Sequence, residues 1–192
     1  MTVARPKLDI DTTHERLLAL GCLHAAEQLE QMLAEAVRQE IPAHSFLDRL
    51  LQAELSGREG RRVKTSLKLS NLPIGQTLEN FDFAFQPAIQ RSKLEALATC
   101  SWLREKQALL ILGPPGVGKT HLAIGLGVRA VESGFSVAFF RLEELLHAMR
   151  QDADGPPTRL RGKKYMKAGL VIIDEVGLRR SRERRRTCSS GW

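Results

Sequence analysis

Residues Gly113, Pro114, Pro115, Gly116, Val117, Gly118, Lys119 and Thr120 read GPPGVGKT and satisfy G-x-x-x-x-G-K-[ST] at every fixed position. Gly113 and Gly118 are expected to let the backbone fold back so that amide N–H groups point inward. A Cβ there would block the approach of phosphates. Lys119 offers a cation to β- and γ-phosphates, and the Thr120 hydroxyl offers a ligand to Mg2+. A helix that begins at this turn adds free N–H groups and the positive end of its dipole. The implied ligand is ATP with Mg2+. A match this complete arises by chance in fewer than about 1% of chains of this length.

A second group of residues completes the chemistry. Leu170-Val171-Ile172-Ile173 is an apolar run that ends in Asp174 and Glu175. A strand of this kind delivers a carboxylate to the mouth of a sheet. There Asp174 could hold Mg2+, and Glu175 could orient or deprotonate an attacking water. By itself the pattern is common. Its position, 55 residues beyond Lys119 with a helix, a strand and a helix between, gives it weight.

The surrounding sequence has the periodicity needed to position these groups. Ala108–Leu112 reads as a short strand before the glycine turn, followed by a helix to about Ser133 that Gly134 terminates. Ser136–Phe140 reads as a second strand, Leu142 to Met149 as an amphipathic helix, Asp152–Pro157 as a loop, and Leu170–Ile173 as a third strand. A basic helical stretch is expected before the third strand, running to about Lys167. Strands alternating with helices predict an α/β parallel sheet with flanking helices.

Residues 12–69 read differently, as a small helical domain. Thr12 and Glu15 have capping-box spacing. Gly21 ends the first helix, and Leu23, Ala26, Leu29, Leu33, Ala36 and Val37 mark the second, which Pro42 stops. Ser45 is expected to cap a third helix with Phe46, Leu47, Leu50, Leu51 and Leu55 as its apolar stripe. Beyond Gly57 this helix carries Arg58, Arg61, Arg62, Lys64 and Lys68. Either a solvated surface or a phosphate-contacting face for DNA accounts for them, the latter resting on Arg58, Arg61, Arg62 and Lys68. Residues 70–80, SNLPIGQTLEN, are turn-rich and mark a boundary. Phe81, Phe83 and Phe85 follow, and Pro87 opens a helix bearing Ile89, Leu94 and Leu97. The expected division is therefore 1–69 helical, 70–80 linker, 81–177 nucleotide domain and 178–192 an Arg-rich, disordered tail.

Composition excludes several alternatives. Apolar runs are too short to span a bilayer, and the N-terminus lacks an apolar signal core, so a cytoplasmic location is expected. Cys22, Cys100 and Cys188 have no metal-ligand or disulfide spacing. The net charge is +7, of which six Arg and one Glu in residues 178–192 supply +5. The basic balance is thus mostly local to the tail.

LENFDFAFQPAI (Leu78–Ile89), LLILGPPGVGKTHLAIGLG (Leu109–Gly127) and LVIIDEVG (Leu170–Gly177) resemble the IstB-like branch of the AAA+ ATPases, related to the DnaC helicase loader. The helical segment with AELSGREGRR also fits. The resemblance covers roughly residues 12–177. It implies an ATP-driven helper that self-assembles on DNA and cooperates with a transposase. It carries phosphate binding to Gly113–Thr120, the magnesium acid to Asp174 and the catalytic acid to Glu175. It places Phe81–Phe83 near the adenine, and hydrophobic linker packing explains the same residues equally well. A replicative helicase loader is the alternative within the superfamily; an inactive fragment that binds DNA weakly is the alternative outside it.

After Gly177 the family pattern continues through two further strands, a sensor residue and an arginine finger, whereas this sequence reads LRRSRERRRTCSSGW. The sheet is therefore expected to be incomplete at its C-terminal side. A gap would lie between the phosphate-loop strand and the Asp174 strand, separating the two halves of the site. The tail reads as an out-of-frame or prematurely ended segment, with a basic tail for nucleic acid as the alternative.

Overall fold

The computed structural model describes residues 9–84, 86, 87, 89–153, 155, 156 and 160–175. The expected tail at 178–192, with Cys188, and the side chain of Phe85 lie outside these residues. The chain divides into two compact units, with the division falling between Lys68 and Leu69. Residues 70–80, expected as a linker, therefore belong to the second unit.

Helices α1 (Ile10–Ala19), α2 (Leu23–Arg38) and α3 (Ala43–Ser70), the last running two residues past the division, build the N-terminal unit. Helix α1 starts at Ile10 with Asp9 as its cap residue, so Thr12 and Glu15 form no capping box. The Asp9 carbonyl instead receives the Thr13 N–H at 3.2 Å and its hydroxyl at 3.3 Å. Gly21, at φ +73°, closes α1: its N–H donates to Leu18 O, and the next N–H, Cys22, reaches back to Leu17 O. Helix α2 closes the same way through Glu40 at φ +52°, so it ends before Pro42 acts. The Pro42 carbonyl accepts the Phe46 N–H, and α3 begins immediately after the proline. Ser45 is consequently inside the helix and caps nothing.

The core of this unit is Ala25, Leu29 and Leu50, with Leu17, Met32, Leu33 and Phe46 around them. The stripe read for α3 only half survives. Phe46 and Leu50 turn inward, while Leu47, Leu51 and Leu55 are all more than half exposed. Glu54 takes a buried position at 4% exposure. Its carboxylate accepts the Ala25 N–H at 3.0 Å, inside the first turn of α2, where the dipole favours an anion. Arg58, one turn along α3, bonds the other carboxylate oxygen at 2.7 Å and also donates to Gly21 O. A Cβ on Gly57 would stand 2.0 Å from the His24 ring, so glycine is what allows α2 and α3 to approach here.

The second unit contains α4 (Arg91–Ala98), α5 (Ser101–Arg104), α6 (Lys119–Glu132), β1 (Val137–Arg141), α7 (Leu142–Ala153), α8 (Lys164–Lys167) and β2 (Leu170–Asp174). Helix α4 begins at Arg91 rather than at Pro87, with Gln90 in extended conformation before it. Helix α7 runs past Met149 and takes in Asp152, the residue at which the loop is expected to begin. In the basic stretch before the third strand, Leu160 and α8 are helical among the described residues. Strands β1 and β2 pair in parallel, with Val137 opposite Leu170 and Arg141 opposite Asp174. Among the described residues this is the whole sheet. Residues 108–112, expected as a strand, pair with neither, and Leu110 and Leu112 are 75% and 80% exposed. An apolar run becomes a strand only when a neighbour satisfies its N–H and C=O groups.

Helix α6 organises this unit. Its inner face buries Leu122, Ile124, Leu126, Ala130 and Val131. Leu122 and Leu126 join Phe81 and Leu94 in one core cluster. A Cβ on Gly127 would sit 2.7 Å from Ile172 Cδ1 and 3.1 Å from Leu72, so both β2 and residue 72 approach α6 closely at this glycine. Among the described residues no helix is long and apolar enough to cross a membrane.

Candidate functional site

The GPPGVGKT turn leads directly into α6, whose cap residue is Gly118 and first residue Lys119. Gly116 and Gly118 take the left-handed conformation, at φ +81° and +83°. Gly113 does not, so the fold-back belongs to Gly116 and Gly118 rather than to Gly113 and Gly118. Gly113 is constrained sterically instead: a Cβ there would meet Val117 Cγ2 at 3.3 Å. At Gly118 a Cβ would stand 2.9 Å from the Phe81 ring, which lies against the turn. The Lys119 ammonium donates to the Pro114 carbonyl at 2.6 Å, across the loop.

Asp174 is the last residue of β2, and Glu175 follows it at φ +58°. This is a left-handed conformation that side-chain-bearing residues seldom adopt outside special sites. Glu175 is exposed, and Asp174 is half-buried. The Thr120 hydroxyl donates to the Asp174 carboxylate, at 3.0 Å to Oδ1 and 3.1 Å to Oδ2. The two halves of the site therefore meet, contrary to the expected separation. Helix α6 packs on both strands and carries Thr120 to the strand end, so unpaired residues 108–112 do not hold the motifs apart.

Phe81 is buried at 7% exposure. Its ring meets Phe83 edge-on at 5.2 Å and His121 edge-on at 5.3 Å. Sequence reasoning assigns His121 no chemistry. Its Nε2 lies 2.9 Å from both Thr77 O and Asn80 Oδ1. The contact joins residues more than forty positions apart, and no local spacing announces it.

The basic set of α3 lies in the N-terminal unit. Arg58 is engaged by Glu54, and Arg61 approaches the same carboxylate at 3.9 Å. Arg62 makes two bonds to Glu59, at 2.6 and 2.8 Å. Arg58, Arg61 and Arg62 line an open surface cavity of about 540 Å3 together with Thr65 and Ser66. The Arg58 hydrogen bond is the main cause that holds the Glu54 carboxyl below the usual carboxylate range, assisted by the Ala25 N–H.

A glycine turn opening a helix, beside a parallel sheet whose strand ends in a carboxylate, defines a P-loop nucleotide-binding protein of the α/β class. The IstB-like ATP binding protein family matches residues 15–187, and this chain belongs to it. The match runs past Gly177 into the Arg-rich segment. Relatives named for ATP binding occur in insertion sequences. One, in IS21 of Pseudomonas aeruginosa, is 38% identical over 80% of this chain and 58% of its own length. Another, in IS5376 of Geobacillus stearothermophilus, is 36% identical over 85% of this chain and 65% of its own. A third, IS21-like, from Bacteroides fragilis, is 34% identical over 92% and 87%. The chain thus spans about three-fifths of the first two relatives.

Proposed function

We infer that this chain binds Mg-ATP at Gly113–Thr120 and serves an insertion sequence as the ATP-dependent helper of a transposase on DNA. The observation that carries the nucleotide reading is the Thr120–Asp174 hydrogen bond, which unites two motifs 54 residues apart in the chain. In this reading Gly113, Pro114, Pro115, Gly116, Val117 and Gly118 wrap the phosphates with backbone N–H groups. Lys119 exchanges its loop carbonyl for phosphate oxygens. Phe81 lies against Gly118, and in this reading its ring borders the adenine.

Thr120 and Asp174 would hold Mg2+. Both offer hard oxygen donors, which suits this ion. The remaining ligands of the ion would come from phosphate and water. The ion would neutralise phosphate charge. Glu175 stands next to Asp174 as the group that would position a water. The insertion-sequence relatives support the transposase partnership, and Arg58, Arg61, Arg62 and Lys68 are the proposed DNA contacts.

Titration of labelled ATP with Mg2+ into the wild-type chain and Lys119→Ala tests the nucleotide reading. Loss of a charge-assisted contact of about 1.5–3 kcal/mol should weaken binding roughly ten- to a hundredfold. Equal affinities would overturn it.

A further inference from the structure

Residues 72–81 lie along α6, fastened at several points. Leu72 meets the space left by Gly127, and Leu78 meets that left by Gly125, where a Cβ would come within 3.0 Å of the Leu78 backbone nitrogen. Glu79 pairs with Arg129 near the far end of α6. Phe81 covers Gly118. The polar fastening is at His121. Asn80 Oδ1 accepts the Thr77 N–H at 2.8 Å, and Asn80 Nδ2 donates to Gly75 O at 2.5 Å, so this side chain braces its own turn. His121 Nε2 faces two acceptors, Thr77 O and Asn80 Oδ1, so the ring hydrogen resides on Nε2 and is shared between them. The same ring lies edge-on to Phe81.

We propose that His121 is a positioning residue: it ties residues 75–81 to the first turn of the phosphate-loop helix and thereby holds Phe81 against Gly118. This inference rests on the nucleotide-binding reading above. Gly118 sits at φ +83° with the Phe81 ring closing the space a side chain would fill. A fixed ring restricts the turn to the conformation set by Gly118 at φ +83°. Preorganisation of this kind raises affinity by removing an ordering cost on binding. His121 touches no phosphate in this scheme; it acts through Asn80, Thr77 and Phe81.

The test uses the full chain as wild type, His121→Ala, His121→Gln and Asn80→Ala. Two quantities are read: the Kd for Mg-ATP, and amide hydrogen exchange without nucleotide. His121→Ala should raise the Kd about fivefold, the equivalent of one ordinary hydrogen bond. It should also speed exchange at Thr77, Phe81 and Leu122, whose N–H groups are bonded to Asn80 Oδ1, Leu78 O and Gly118 O. Glutamine can present its amide N–H where Nε2–H stands, so His121→Gln should restore both readouts. A role in stability alone would lower the melting temperature, leave the Kd unchanged and show no rescue, and that result overturns the proposal. If the wild type binds no Mg-ATP, the nucleotide reading fails. Exchange then decides the positioning role: unaltered exchange at Thr77 and Phe81 in His121→Ala rejects it, and accelerated exchange reaching Leu122 upholds it. Should His121→Ala fail to fold, Asn80→Ala removes one of the two acceptors and answers through the same readouts.

Discussion

The Thr120 hydroxyl lies 3.0 Å from Asp174 Oδ1, although 54 residues separate the two in the chain. The first turn of α6 brings one partner and the last residue of β2 the other. Without a cation the hydroxyl donates its hydrogen to the carboxylate. In the proposed Mg-ATP complex the ion would take lone pairs from both oxygens.

Thr120→Ala and Asp174→Asn should therefore weaken ATP binding only when Mg2+ is present. Each removes an oxygen donor from the proposed cation site while leaving the glycine turn intact. Calorimetric titration of ATP with Mg2+ and with EDTA checks this. A variant whose affinity falls equally in both buffers would show damage to the loop rather than to a cation site.

Gly118→Ala should destabilise the second unit as well as impair binding. The residue sits at φ +83°, which costs an L-residue about 1–2 kcal/mol, and its new Cβ would press on Phe81 at 2.9 Å. Gly134, also at positive φ but with open space around it, supplies the comparison. Thermal melts of Gly118→Ala and Gly134→Ala should rank the former lower.

Glu54 makes the N-terminal unit acid-sensitive. Its carboxyl is held below the usual range, chiefly by the Arg58 hydrogen bond and then by the Ala25 N–H. A group whose folded-state pKa is lowered stabilises the fold above its unfolded value, and that contribution disappears as pH falls through the folded value. Acidification below the ordinary carboxylate range should lower helix stability followed by circular dichroism. Glu54→Gln should be less stable at neutral pH and lose part of this dependence.

The arginines of α3 are not equivalent. Arg58 joins Glu54, Gly21 O and Cys22 Sγ, so Arg58→Ala should lower the melting temperature whether or not DNA binds. Arg61→Ala with Lys68→Ala is the cleaner probe of DNA binding. If both side chains neutralise phosphates, the slope of log affinity against log salt for duplex DNA should become shallower by about 0.9 for each of the two. An unchanged slope would assign these side chains to the solvated surface.

The phosphate loop, the acid at the end of β2, the alternation of strand and helix and the helical character of residues 12–69 are all legible in the sequence. Each is set by spacing within one turn, one helix face or one strand, where chemistry and backbone period act on near neighbours. Other features require the fold. Leu47, Leu51 and Leu55 have the same period as Leu50, yet they remain exposed because only one side of α3 meets α2. Glu54 is buried because the first turn of α2 stands opposite it with a free N–H. Residues 108–112 have a strand's composition but no strand beside them among the described residues. His121 acquires its role from Thr77 and Asn80, more than forty residues away. Local pattern specifies which conformations a segment can adopt. Which of its polar and apolar groups find partners depends on surfaces supplied by distant parts of the chain, and only the tertiary structure decides that.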